Sequence, residues 1–511
     1  MNIISFSFYA AVLLALILYY GVPVRFRWMI LCGFSGYFVI SANGIKLALY
    51  MLAVILLTYA AAILVDKYRE NVRISRAVLI CGIAADGISL VAMKELNFFI
   101  HGVRAAAGIF GKAVPLQPVS ILAPIGISYY TLSLIGYLVD VYWETAKAEK
   151  NPLKVALFTG YFPLLIAGPI VRKREVFDEL IEGQKFHYEN VTFGLQRIVW
   201  GFFKKLVISE RFAVIVNAVY GNYFVYSGLY IWVAAICFLL QLYTDFSGGI
   251  DICLGVSQLF GIRLPENFDL PFLSRSVSEF WRRWHITLGG WLRDYIYYPM
   301  MKSNVMQDMG AKSKKILGKK KGKKIPLYIV TLVSWFLVGF WHGGGWNYIF
   351  GVGLFYGLVI IAGQMFEPLS KKLIKVLKIR TECFSWHLFQ MARTFLVLVF
   401  ANSLFRAASL KSGFQMWKMA FSLWNPWIFF DQSLYGLGLN QTEWEILMFG
   451  MLVLIVCGLL RYFLKISVRQ WLLQQNMLFQ WGVMILLVVW VFVYGYYGSG
   501  YDAGAFIYFQ F

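Results

Sequence analysis

Apolar runs of about 20 residues recur along the chain, separated by short basic stretches. A helix crosses the hydrocarbon core of a bilayer in roughly 20 apolar residues. Runs of that kind fall at 4–20, 28–43, 46–65, 76–93, 117–140, 206–222, 226–244, 325–342, 347–366, 386–404, 445–462 and 479–497. The pattern predicts an all-α polytopic membrane protein with about 11–13 transmembrane helices. No soluble stretch of domain size interrupts the runs, so 1–511 reads as one membrane domain. The N-terminal run has no basic flank and no small-residue cleavage site, and it reads as a first span.

Two segments depart from the pattern. Residues 152–175 are apolar but interrupted by Pro163, Gly168 and Pro169, and they predict a re-entrant pair. Residues 263–300 carry Glu279, Arg282, Arg283, Arg293 and Asp294, too many charges for a lipid-facing span. Yet Phe280, Trp284, Leu288, Trp291, Tyr295 and Tyr298 recur at helical steps. Gly289 and Gly290 predict a break in this helix, and Pro299 its end. Either the stretch lines a cavity, where broken backbone is tolerated at membrane depth, or it is an interfacial helix without chemistry. Asp245 and Asp251 in 241–255 are costly at membrane depth and call for a partner or a cavity.

Composition sharpens this reading. Hydrophobic residues make up 60% and charged residues 14% of the 511 residues, against roughly half and a quarter in soluble chains. A soluble enzyme, a disordered chain and a coiled coil are excluded. Lys and Arg number 47 and Asp and Glu 26, so 47 − 26 gives +21. That excess lies between apolar runs, as in cytoplasmic loops of membrane proteins, which argues against nucleic acid as its partner. Placing the basic stretches in the cytoplasm puts both termini outside, with 498–511 an extracellular tail. It makes 301–325 a cytoplasmic loop holding the lysines between Lys312 and Lys324. That run either meets coenzyme A phosphates or an acidic carrier protein, or anchors the loop at anionic lipid. The six cysteines form no Cys-x-x-Cys pair and read as small buried hydrophobes.

Of five histidines, three are unremarkable in context: His101 in a Gly- and Ala-rich outer loop, His187 in a polar stretch, and His387 at a span start. His285 lies inside the arginine- and tryptophan-rich broken helix. His342 ends an apolar run and precedes Gly343, Gly344 and Gly345. An imidazole at that depth is either a general base or a hydrogen-bonded interior residue. No metal-ligand spacing, Gly-x-Ser-x-Gly elbow or P-loop is present, so a metal or nucleotide site is not expected.

The blocks 124–142, FPLLIAGPIVR (162–172), QLYTDFSGGIDICLG (241–255), 264–299, GFWHGGGWNYIFGVG (339–353) and LFRAASLKS (404–412) resemble the membrane-bound O-acyltransferase family. The similarity lies with its bacterial branch, whose members acylate alginate, peptidoglycan or teichoic acid. That resemblance implies a ring of helices about a thin centre, a cytoplasmic tunnel for the acyl donor and an outer funnel for the acceptor. By motif, His342 resembles the catalytic histidine and His285 the second conserved one, with Asn267, Arg283, Trp284, Asp294 and Asp245 shaping the site. Gly249, the Thr287–Gly290 turn and the MMKS after Pro299 depart from the family pattern and leave the substrate open.

The resemblance implies an O-acyltransferase of the bacterial cell membrane. It would move an acetyl or other short acyl group from a cytoplasmic thioester to an extracellular polysaccharide. The donor would be acetyl-CoA or an acyl-carrier thioester, with no bound cofactor, and an extracellular SGNH-type protein would complete delivery. D-alanyl transfer to teichoic acid is the alternative within the family; a transporter or flippase is the alternative outside it. The C-terminal Phe506-x-Tyr508-x-x-Phe511 resembles the tail motif of a small peptide accompanying D-alanylation. It implies that Tyr508 relays the acyl group, whereas an aromatic anchor is the plain alternative.

Overall fold

The computed structural model describes residues 3–496 and is helical throughout, with a lone antiparallel bridge, Phe268 to Trp284, as the extended pairing among the described residues. Eight helices there are long and apolar enough to cross a membrane, and Phe6–Gly21 is a shorter apolar one. Large apolar side chains such as Leu13, Ile17, Leu486 and Phe492 are exposed along them, as expected of surfaces that face lipid rather than water. The chain is a multi-pass membrane protein.

Several predicted spans form as read. The runs 28–43 and 46–65 lie in Arg27–Lys67, which bends at Gly44, where φ is 76°. Positive φ is cheap only for glycine, so the break is local chemistry rather than packing. The interrupted run 152–175 forms two short helices, Pro152–Gly160 and Phe162–Ala167, that meet at Tyr161, and nearly every residue from Val155 to Val171 is buried.

Other expectations are corrected. Residues 117–126 are not helical, and the helix runs only over Ile127–Tyr142. Pro118 and Pro124 lack the amide that a helix interior needs, and they disfavour helix in the residue before them. His101 is not in a loop but in the helix Leu96–Ile109. The lysine-rich 301–325 is not a loop either: Asn304–Gly322 is helical with a bend at Gly318. Lysine is a good helix former, and no proline interrupts the run.

The span predicted at 206–222 is the second half of a longer helical rod. Tyr188–Phe202, a π-helical stretch Phe203–Ser209 and Glu210–Gly221 follow without a break. Its polar residues conceal the first half from a hydropathy reading. Arg197 bonds Asp251 at 2.8 Å and Glu266 at 2.7 Å; Lys204 pairs with Asp251, and Lys205 bridges Asp245 and Glu210. Buried charge persists at such depth when it is paired. Asp245 and Asp251 stand on Leu229–Leu259, which continues through the glycines of 248–249 although 226–244 was expected to end before them.

Glycine pairs set the approach of these two helices. A Cβ on Gly201 would lie 2.6 Å from the Gly248 carbonyl, and one on Gly194 would lie 2.7 Å from that of Gly255. Both pairs recur at a seven-residue step, so the antiparallel helices touch backbone to backbone along one stripe. The second close pair is the hairpin Ile325–His342 and Trp346–Val376. There Gly339 would carry a Cβ 2.7 Å from Ile349. That hairpin fixes His342 at its tip.

Candidate functional site

The break in 263–300 falls not at Gly289–Gly290 but at Trp284–His285. Val277–Arg283 ends there, Ile286–Leu292 begins, and His285 itself takes φ 46° and ψ 51°. A left-handed non-glycine residue is uncommon and is held by its surroundings. Here the hold is a short ladder. Asp269 N–H donates to the Arg283 carbonyl at 2.9 Å, and Ile286 N–H donates to the Asn267 carbonyl at 3.1 Å. The Asn267 side-chain oxygen accepts from Thr287 N–H at 3.1 Å and from the Thr287 hydroxyl at 2.9 Å, and lies 3.3 Å from His285 Nδ1. Gly289 and Gly290 continue the helix instead. Past them the π-helical Arg293–Tyr297 leads into Tyr298–Lys302, so Pro299 lies within helix rather than ending it.

The two singled-out histidines meet. Their ring centroids are 6.4 Å apart, and Trp341 touches both, at 5.8 Å from His285 and 4.9 Å from His342. Phe246 closes the His285 side at 5.0 Å and Phe405 the His342 side at 6.5 Å. Both histidines and Asn267 are buried. Asn267 Nδ2 has no hydrogen-bond partner among the described residues, which leaves its two N–H donors beside the imidazoles. A buried, aromatic-walled imidazole pair is suited to proton transfer away from bulk water.

The other expected site residues stand elsewhere. Trp284, the residue before His285, packs on Phe268 at 5.0 Å and Phe280 at 5.3 Å and lies 6.5 Å from Phe246, the ring that meets His285. Arg283 pairs with Glu279 at 2.9 Å. Asp294 pairs with Arg172 at 2.7 Å, in a cluster with Arg174 and Arg293. Asp245 is bound to Lys205, while its neighbour Phe246 turns to His285. Tyr508 lies outside the described residues.

The structure adds Lys94 and Glu95, which the sequence reading passed over. Lys94 Nζ donates to the Trp341 carbonyl at 2.6 Å and to Ser128 Oγ at 3.4 Å. Glu95 is buried, and a Cβ on Gly344 would collide with its Oε2. Burial pushes the Glu95 carboxyl above its ordinary value, with Lys94 and the Gly344 amide pulling it back. The sole signal in sequence was a Lys-Glu pair ending an apolar run.

A polytopic helical protein with paired interior histidines fits transfer chemistry inside a membrane. Comparison with known proteins defines the class. The chain belongs to the membrane-bound O-acyltransferase family, whose conserved domain matches residues 146–312. This match includes Asn267 and His285 and stops short of His342. The chain is 30% identical to the probable alginate O-acetylase AlgI of Azotobacter vinelandii, over 87% of this chain and 82% of the relative. It is 27% identical to the peptidoglycan O-acetyltransferase of Helicobacter pylori, over 71% and 73%. To the teichoic acid D-alanyltransferase of Bacillus subtilis it is 28% identical, over 50% and 62%. The match to the Pseudomonas syringae probable alginate O-acetylase spans 60% of that relative. The protein is an O-acyltransferase.

Proposed function

We propose that the protein moves an acetyl group from a cytoplasmic thioester, acetyl-CoA, to a hydroxyl on an extracellular cell-surface polysaccharide or on its delivery partner. The observation that carries this reading is the buried His285–His342 pair, 6.4 Å apart at the tip of a helix hairpin. The acetylating relatives, matched over most of the chain, favour acetyl over other acyl groups. His342 takes the proton from the attacking hydroxyl as its oxygen bonds to the thioester carbonyl carbon. The carbon–sulfur bond then breaks, and the departing thiolate recovers the proton from the imidazolium. Orientation of donor and acceptor supplies the rest of the acceleration.

His285, fixed by Asn267, positions the second imidazole and the wall around it. Trp284, Arg283, Asp294 and Asp245 hold the scaffold through their own partners. The setting is the bacterial cytoplasmic membrane with both termini outside. Tyr508 on the extracellular tail receives the acyl group first, and an SGNH-type extracellular protein collects it. D-alanyl transfer from an acyl-carrier thioester is the second reading, favoured by the Bacillus subtilis relative. Proteoliposomes given acetyl-CoA labelled in the acetyl carbonyl test the choice. Label appearing on the protein or on added polysaccharide supports the proposal. Uptake of intact donor without transfer would sink it in favour of transport.

A further inference from the structure

A cavity of about 1270 Å³ lies apart from the histidine pair. It is bounded by Tyr188–Phe202, Leu229–Leu259, the segment 262–273, Gln441–Leu464, Val468–Leu473 and Met477–Tyr494. Along Leu229–Leu259 its lining runs from Leu240 to Gln258. That is 258 − 240, or 18 steps, about 27 Å at 1.5 Å per residue. One leaflet with its headgroups is about 20–22 Å deep, half of a whole bilayer.

The lining changes character along that length. Toward one end stand Leu240, Leu454, Leu487 and Trp490; toward the other, Arg263, Arg461, Lys465 and Arg469. Tyr20 bonds the Leu259 carbonyl there, and Arg27 bonds the Gln184 carbonyl, so the basic connections gather on this side. By the charge bias it is the cytoplasmic side.

Not all of this charge is answered within the protein. Arg197 and Lys204 pair with Asp251 and Glu266, and Arg461 pairs with Asp269 at 2.8 Å. Among the described residues no carboxylate pairs with Lys465 or Arg469. Lys465 lies over the Tyr462 ring at 4.6 Å and Arg469 over Phe193 at 5.7 Å. Burial, with Arg197 adding like-charge repulsion, holds Arg469 down at about 10, still cationic at neutral pH. Ile455, Leu459 and Leu486 line the cavity and are exposed rather than packed against protein, so its apolar wall is left without a protein partner there.

We propose that this cavity seats one anionic phospholipid of the cytoplasmic leaflet, its phosphate at Lys465 and Arg469 and its acyl chains against Leu454, Leu487 and Trp490. The length, the apolar shaft and the surplus positive charge each match that occupant. A two-carbon acetyl group on coenzyme A needs no such shaft, and neither histidine lines it. The lipid fills the space between the C-terminal helices and the core.

Full-length protein, delipidated in neutral detergent, is to be studied by native mass spectrometry with phosphatidylglycerol, phosphatidylcholine, inorganic phosphate or coenzyme A added separately. The expected result is one retained phosphatidylglycerol per chain and weaker retention of phosphatidylcholine. Each basic residue at a membrane surface contributes about a fivefold preference for anionic lipid. Lys465→Gln with Arg469→Gln should therefore lower phosphatidylglycerol retention at least about tenfold, whereas Lys371→Gln with Lys372→Gln should not. Leu487→Trp, which fills the shaft and leaves the charges, should expel the lipid. Equal retention of the two lipids by the wild type, or displacement by coenzyme A or phosphate alone, would overturn the proposal without using either variant. Acyl transfer is not among these readouts, so failure here leaves the functional proposal standing.

Discussion

His342 sits at the hairpin tip with its ring against Trp341, and His285 is tied to Asn267 in the broken segment. The two differ in what their removal disturbs. His342→Ala should lower acyl transfer by about 10²–10⁴-fold, the range for a lost general base, with insertion and folding retained. His285→Ala leaves the Asn267 oxygen its two bonds from Thr287 but opens a cavity between Phe246 and Trp341, and a large-to-small substitution in a packed interior costs about 2–5 kcal/mol. It should therefore lower thermal stability as well as activity. Single-turnover transfer by purified variants, read beside melting temperature in detergent, checks both. Undiminished transfer by His342→Ala would remove it as the base.

Glu95 gives a pH-dependent expectation at the same scale. Its folded pKa lies above the ordinary 4.5, with burial the main cause. The native state thus holds its proton more tightly than the unfolded chain. Its contribution is present in full below about pH 4.5 and fades as pH rises through the folded value. Glu95→Gln, permanently neutral, should flatten the fall in melting temperature as pH rises above the ordinary carboxyl value of 4.5. An unchanged slope would mean that other groups set it. Neither Lys94 nor Glu95 could be distinguished in sequence from an ordinary charged helix end. Their burial depends on Gly344 and Trp341, some 250 residues away.

The contrast between glycines belongs to the element scale. By helix propensity alone, Gly→Ala gains about 1 kcal/mol. At Gly201 the new Cβ would meet the Gly248 carbonyl at 2.6 Å, and backbone cannot step aside cheaply. Overpacking of that kind costs about 1–3 kcal/mol, so Gly201→Ala should destabilise. Gly482 has nothing within 4 Å of the same position, so Gly482→Ala should be neutral or stabilising. Melting curves of the two variants decide it; equal shifts would mean that the Gly201 stripe is not a tight contact. The same stripe explains a misreading. The expected span ends at 244, yet the helix runs to Leu259 and Gly248 and Gly255 serve helix contact. Likewise Arg197, Lys204 and Lys205 are held buried by acids some 40–70 residues further on, which no local pattern reveals. Hydropathy found the long lipid-facing helices, where local composition suffices. It failed where a partner elsewhere in the chain decides, as at the left-handed His285, and where local prolines outweigh an apolar composition, as in 117–126.

For the whole molecule, the decisive expectation concerns how an acyl group carried from one side reaches a polymer on the other. Basic connections gather on one side, with Arg27 bound to the Gln184 carbonyl. At the opposite end of the same bundle Arg211 donates to the Tyr494 carbonyl at 2.8 Å and Tyr496 N–H to the Leu206 carbonyl at 2.9 Å. The chain therefore enters its final segment on the side away from the basic connections. Tyr508 follows twelve positions after Tyr496, the difference 508 − 496. An extended chain spans at most about 3.3–3.6 Å per residue, which gives about 40 Å of reach, more than the hydrocarbon thickness. A phenol with an ordinary pKa of about 10 needs a base to attack near neutral pH, and its ester then passes the acyl group on readily. Tyr508→Phe keeps the ring and removes only the hydroxyl. It should leave donor binding intact and stop polymer acylation, and the wild type incubated with acetyl-CoA should show one acetyl adduct on its last peptide by intact-mass analysis. Normal polymer acylation by Tyr508→Phe would leave the tail an aromatic anchor and require direct transfer at His342.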